Sequence, residues 1–214
     1  GLGNQLFQYA VGRALSLHHK APLKLDLTVF ETYKLHNGYR LDQFAIQADI
    51  AAENEIINLK GGNNVLFAAL RKAGLFKRKS YFKEKRSSYF DARVFKNKFV
   101  YLDGYWQNEL YFSNIREVLL RELSPINSMN DLGCDYLEPI NKSNSVSLHV
   151  RRGDYLNLKN INVLDVDYYM KAVEYIRKNV EKPTFFIFSD DLDWCKKSLG
   201  FLDGCIYVDR TQTE

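Results

Sequence analysis

The sequence is poor in the features that mark secreted, metal-held and membrane-spanning chains. It has three cysteines, Cys134, Cys195 and Cys205, and no Cys-x-x-Cys spacing. That odd, scattered set argues against a disulfide framework and a structural zinc site, and for a reducing, cytoplasmic setting. No apolar run reaches the ~18 residues that a spanning helix needs. No secretory leader precedes the first helical segment. His18 and His19 are adjacent, so they lack the i, i+4 spacing of a helical metal pair. A Walker loop is missing; Gly1-x-Gly3, at a helix start, reads as a structural turn or as a weak anion-binding one. There is no RNA-binding signature, no internal repeat and no low-complexity tract.

What is present is ordinary in bulk and uneven in detail. Apolar residues make up 46% and charged residues 26%, as in a soluble globular protein. Tyr and Phe stand at 14 each, which predicts a large aromatic core, with sugar or base stacking as the alternative. The net charge of +4 hides an asymmetry. Residues 71–86 hold eight Lys or Arg and a single acid, Glu84, so this segment is +7 and the remainder of the chain −3. Just before it, Leu66, Ala69, Leu70, Ala73 and Phe76 fall on one helical face. Residues 66–86 therefore read either as a solvated surface excursion or as a basic amphipathic segment in peripheral contact with a membrane. The acidic remainder opposes nucleic-acid binding.

Periodicity divides the chain into two α/β halves. Leu6, Phe7, Ala10, Val11, Ala14 and Leu15 predict a helix that Pro22 ends, followed by a strand at 23–27. Asn37-Gly38 marks a turn, 51–60 a helix, 99–102 a strand and 109–123 another helix. Residues 124–144 are rich in Ser, Asn, Pro and Gly and read as a linker. The domains are therefore placed at 1–143 and 144–214. In the second, strands are predicted at 145–150, 184–188 and 205–208, with helices between them, one opened by Asp165 and one at 192–199. Strands alternating with helices imply parallel βαβ units.

The most informative residues leave the end of the first of those strands: His149-Val150-Arg151-Arg152-Gly153-Asp154-Tyr155. Carboxyl ends of strands are where open α/β sheets bind ligands. Two guanidinium forks there suit a diphosphate, because they match phosphate oxygens and stay charged at any working pH. His149 and Asp154 are the titratable groups of the block, and Asp154 is also a candidate salt-bridge partner for the arginines. Asp190-Asp191, at the next strand end, read either as a helix cap or as acceptors for a nucleobase edge or ribose. Tyr105, Trp106 and Gln107 read either as a sugar platform or as packing.

Four segments, Gly1–Tyr9, Gly104–Gln107, His149–Tyr155 and Phe188–Asp191, resemble the signature blocks of bacterial α-1,2-fucosyltransferases, glycosyltransferase family 11. The resemblance runs over nearly the whole chain, and the His-x-Arg-Arg-Gly-Asp-Tyr block is its most specific part. It implies a GT-B-like architecture of two Rossmann-type domains, with 1–143 on the acceptor side and 144–214 a partial donor domain. It implies inverting transfer of L-fucose from GDP-fucose to the 2-hydroxyl of a terminal galactoside, in glycan or O-antigen synthesis, with no metal or other cofactor. The partners it implies are GDP-fucose and a galactose-terminated glycan, met in the cytoplasm or peripherally on the inner face of the membrane. Arg151 would contact the diphosphate, and His149 and Asp191 the nucleoside. Asn4 would lie near the reacting centre. Arg151, Asp154 and Asn4 are thus the catalytic candidates. His149, Arg152, Tyr155, Asp190, Asp191, Trp106 and Gln107 are the substrate-binding ones. The later blocks of the family are not found before Glu214, so the expectation is the larger part of such an enzyme, or else a non-catalytic nucleotide- or glycan-binding fragment.

Overall fold

The structure, a computed structural model, describes residues 1–32, 38–61, 80–85, 89–126, 134–157 and 162–209. The basic amphipathic segment proposed at 66–86 falls for the most part outside the described residues. The chain divides into two compact units, Gly1–Asn127 and Ser128–Glu214. This division lies earlier than the boundary read from the linker, because a helix at Cys134–Asn141 joins the second unit.

The first unit is organised around one long helix, α1 (Leu2–His19). Ala10, Val11, Ala14 and Leu15 of the periodic stripe are buried along it, Tyr9 joins them, and Leu6 and Phe7 are half-buried. It ends at Lys20, which turns left-handed (φ 50°) before Pro22. Around α1 lie two short parallel strand pairs: β1 (Lys24–Leu25) with β2 (Asp49–Ile50), and β3 (Tyr81–Lys83) with β4 (Tyr101–Asp103). The described part also holds the short helices α2 (Val29–Thr32), α3 (Glu53–Lys60) and α4 (Arg116–Glu122).

The continuous helix predicted at 109–123 is corrected by the structure. Two single-turn 3-10 segments, Glu109–Tyr111 and Ser113–Ile115, precede α4. The cause is Tyr111, which is drawn into the core. Its hydroxyl accepts from Asp91 N–H at 2.8 Å and donates to the Tyr89 carbonyl at 3.0 Å. Its ring meets Trp106 edge-on at 5.5 Å. Phe112 must then leave helical geometry (φ −141°, ψ 10°), and the helix restarts only at Arg116.

A buried ion pair stitches this unit together. Arg13 on α1 donates from Nε and Nη2 to both oxygens of Glu122 on α4, at 2.7–3.0 Å. The Tyr9 hydroxyl donates to the same carboxylate and accepts from Gln47 N–H at 3.0 Å. Burial raises the Tyr9 phenol to about 12, assisted by the neighbouring carboxylate. Burial alone would push the Glu122 carboxyl up, but the hydrogen bonds from Arg13 and Tyr9 outweigh it and hold it below the usual range.

The second unit carries a three-stranded parallel sheet in the order β5 (Asn144–Val150), β6 (Pro183–Ser189), β7 (Ile206–Tyr207). Helix α5 (Cys134–Asn141) leads into β5, α6 (Val166–Asn179) joins β5 to β6, and α7 (Leu192–Ser198) joins β6 to β7. These are the predicted βαβ units, shifted by a residue or two at their ends. The central strand buries Phe185, Phe186 and Ile187 in succession, so it is covered on both faces. Tyr169 and Val173 of α6, with Cys195 of α7, close over Leu148, Val150, Phe185 and Ile187. Each fully buried apolar side chain of this kind contributes roughly 1.5–3 kcal/mol. Asp165 caps α6 by accepting from Tyr168 N–H at 3.0 Å. Among the described residues, no helix is long and apolar enough to cross a membrane.

Candidate functional site

Parallel pairing decides what meets what at the sheet edge. His149 lies opposite Phe188 and Val150 opposite Ser189. The next residues of the two strands, Arg151-Arg152 and Asp190-Asp191, therefore emerge side by side at the carboxyl end of the sheet. They pair in order. Arg151 Nε lies 3.2 Å from Asp190 Oδ2, and Arg152 Nε lies 3.2 Å from Asp191 Oδ2. Asp190 also accepts from Arg152 N–H through Oδ1 at 2.8 Å.

The two arginines have different surroundings. The Arg152 side chain is 16% exposed, and its guanidinium lies 4.0 Å over the Trp194 ring. Stacking of that kind adds to the ion pair in holding the group still. The Arg151 side chain is 38% exposed and lies 5.4 Å from the Tyr155 ring centroid. Arg151 also lines an open cleft of about 430 Å³ together with His149, Tyr155, Asn162, Val163, Leu164 and Tyr169. This volume is within the range of roughly 300–1,000 Å³ in which small molecules bind.

Below the turn the site is apolar and packed. Asp191 caps α7 by accepting from Trp194 N–H at 3.1 Å, while its own N–H donates to Ser189 Oγ at 2.9 Å. Trp194 meets Tyr169 at 6.2 Å. Burial pushes the Cys195 thiol up, so this cysteine packs beneath the turn as a neutral group. The structure thus brings His149, Arg151 and Tyr155 to one cleft and holds Arg152 behind it. Asp154 stands in a 3-10 turn, Asp154–Asn157, but its side chain lies outside the described residues. The carboxylates seen on the arginines come from the next strand. Sequence reasoning missed Trp194 and the 162–164 wall. The register of two adjacent strands was the signal for the Arg–Asp pairing, and nothing local announced Trp194.

The candidates of the first unit are arranged differently. Gln107 Nε2 donates to Asn4 Oδ1 at 2.8 Å, and Gln8 Nε2 donates to the Gly104 carbonyl at 2.8 Å. The Gly-Tyr-Trp-Gln turn is thereby tied to the start of α1. Glu84 anchors the other side by accepting from the N–H groups of Tyr105 and Trp106, at 2.7 and 3.0 Å. Gly104 is required there, since an added Cβ would lie 2.4 Å from Glu84 Cβ. The sugar-platform role for Trp106 is corrected. Its ring is 1% exposed and packs against Phe82 and Tyr111, so no face remains for a sugar. Asn4 is half-buried, and Tyr105 and Gln107 are exposed. No group of His, Cys, Asp and Glu that could hold a metal occurs among the described residues.

The chain is similar to known proteins. The family model for glycosyl transferase family 11 matches residues 72–211. An alpha-1,2-colitosyltransferase of Escherichia coli is 34% identical over 210 residues, covering 92% of this chain and 68% of that protein. The O-antigen biosynthesis glycosyltransferase WbnK of Escherichia coli is 27% identical, over 100% of this chain and 78% of that one. Galactoside alpha-(1,2)-fucosyltransferase 2 of Sus scrofa is 27% identical over 113 residues, 48% of this chain and 33% of that protein. No solved structure matches the chain. The strand-end Arg-Arg-Gly-Asp turn lies inside the matched region, and the chain belongs to glycosyl transferase family 11.

Proposed function

We propose that the cleft beside Arg151 is the nucleotide-diphosphate site of an inverting α-1,2-fucosyltransferase. In this reading GDP-fucose is the donor and the 2-hydroxyl of a terminal galactoside is the acceptor. The observation that carries it is a half-exposed guanidinium at the carboxyl end of a parallel sheet, beside an open cleft of about 430 Å³. Family membership supports glycosyl transfer, and the colitosyl and fucosyl relatives support a deoxysugar donor and 1,2-linkage.

The hard step is cleavage of the sugar–phosphate bond through an oxocarbenium-like transition state. Negative charge grows on the departing phosphate. A fixed cation aimed at that charge stabilises the transition state more than the ground state. Arg151 has that role here, and no metal is needed for it. Arg152, stacked on Trp194 and paired with Asp191, braces the turn behind it. His149 and Tyr155, which line the same cleft, face the nucleotide. Asn4 and Gln107, joined by their hydrogen bond, belong to the acceptor side in the first unit. A GT-B-like pair of Rossmann-type domains accommodates this division. The reading also carries a cytoplasmic setting and peripheral membrane contact through 66–86. Liposome flotation that is unchanged by Lys/Arg→Glu substitutions in 77–86 would remove that contact.

The deciding experiment offers GDP-fucose and GDP-colitose in parallel, with lactose as acceptor. A fucosylated product with inverted anomeric configuration is expected. Transfer from GDP-colitose alone would reassign the donor. GDP that fails to bind in calorimetry would remove the nucleotide site itself.

A further inference from the structure

We infer that Asp190 is a positioning residue for the Arg151–Gly153 turn and not a contact to the nucleoside. The inference rests on the diphosphate reading of the cleft. Asp190 is the first residue beyond β6, and its side chain meets three consecutive residues beyond β5. Oδ2 pairs with Arg151 Nε at 3.2 Å. Oδ1 accepts from Arg152 N–H at 2.8 Å. A Cβ added to Gly153 would come within 2.9 Å of the same Oδ2 and 3.2 Å of Cγ. Both carboxylate oxygens are thus turned inward onto the turn. A nucleobase edge or a ribose hydroxyl would have to compete for them.

The arrangement has a physical purpose. Strand pairing between β5 and β6 ends at Val150 and Ser189, so no ladder hydrogen bonds direct the residues that follow. Arg151 has a long flexible side chain, and its ion pair with Asp190 restricts where the guanidinium points. Asp191 and Trp194 do not duplicate this, since they hold Arg152. Gly153 permits the close approach of the Asp190 carboxylate, and its dihedral angle is outside the left-handed region. An alanine at 153 therefore crowds the carboxylate without backbone strain and without changing any charge.

The test compares two ligands. Inorganic pyrophosphate has phosphates but neither base nor ribose; GDP has all three. Calorimetry measures both with the wild-type chain, Asp190→Asn, Gly153→Ala and the double variant, alongside thermal unfolding. Asp190→Asn is expected to weaken GDP and pyrophosphate by the same factor, roughly tenfold, the scale of one charge-assisted hydrogen bond. Gly153→Ala should weaken both as well, and the double variant should lose less than the product of the single losses. Unfolding temperatures should stay near wild type. A loss confined to GDP would make Asp190 a nucleoside ligand and overturn the inference. Unchanged or tighter pyrophosphate binding would overturn it too, by showing a bystander or a competitor. Losses that multiply would show that residues 153 and 190 act independently, which also overturns it. Should Asp190→Asn not fold, Gly153→Ala carries the same comparison. If the wild type binds neither ligand, the diphosphate reading itself has failed.

Discussion

Two arginine–carboxylate arrangements in this chain use the same chemistry for different ends. In the first unit Arg13 donates from Nε and Nη2 to both oxygens of Glu122, and from Nη1 to Ser16 at 3.4 Å. Glu122 is buried and also receives the Tyr9 hydroxyl. Every donor points inward, and the cluster joins α1 to α4. In the second unit Arg151 meets Asp190 through Nε at the rim of a cleft, and more than a third of its side chain reaches solvent. The difference teaches that a carboxylate beside an arginine does not by itself seal the guanidinium away; whether part of it still faces solvent depends on the surrounding packing.

Several changes would break or sharpen that contrast. The largest effect is expected for Arg151→Lys in an active transferase that carries this turn. A point charge cannot reproduce the guanidinium fork, and loss of one transition-state donor costs about 10²–10³-fold in rate. Turnover of GDP-fucose close to wild type would put Arg151 outside the reaction. Next comes Glu122→Gln, which leaves the half-buried Arg13 without its counter-ion. Urea unfolding should show a loss of about 3 kcal/mol, the scale of a broken buried pair. A loss below 1 kcal/mol would mean the Arg13 cluster is no more structural than the cleft pair.

The pH dependence gives a finer test. The Tyr9 phenol is held protonated up to about 12 by burial. Its folded value lies above its unfolded one, so its contribution is complete below about pH 10 and fades as pH rises towards 12. The Glu122 carboxyl is shifted the other way. Its contribution is present above its unfolded value near 4.5 and is lost as pH falls through the lower folded value. Tyr9→Phe should cost about 1–2 kcal/mol at neutral pH and make the alkaline decline shallower in denaturant titrations. A decline as steep as wild type would place the alkaline transition elsewhere. The smallest effect is expected for the stability of Arg151→Ala. An ion pair this exposed contributes at most about 1 kcal/mol, so its unfolding midpoint should barely move. A loss matching that of Glu122→Gln would abolish the contrast between the two arginines.

Much of the second unit is legible in the sequence. The strands predicted at 145–150 and 184–188 and the helix opened by Asp165 match β5, β6 and α6 within a residue or two. Such elements are legible because backbone period and side-chain burial agree. The first unit was harder to read, since its strands are two or three residues long and its helix at 109–123 is interrupted. That interruption depends on Tyr111 meeting Asp91, Tyr89 and Trp106, none of which local periodicity can register. Trp106 shows the same limit. An aromatic in a glycine turn looks alike in sequence whether it faces a sugar or a core.

By itself the sequence determined the chemistry available and its local setting: two guanidinium groups beyond a strand, two carboxylates beyond the next, and the caps and stripes that place each element. The tertiary structure alone decided the partners. Parallel register set Arg151 against Asp190 and Arg152 against Asp191, and helix packing slid Trp194 under one arginine while leaving the other at the cleft. The physical reason is separation along the chain. Residues nearly forty positions apart are brought together only when a whole sheet and its covering helix have formed.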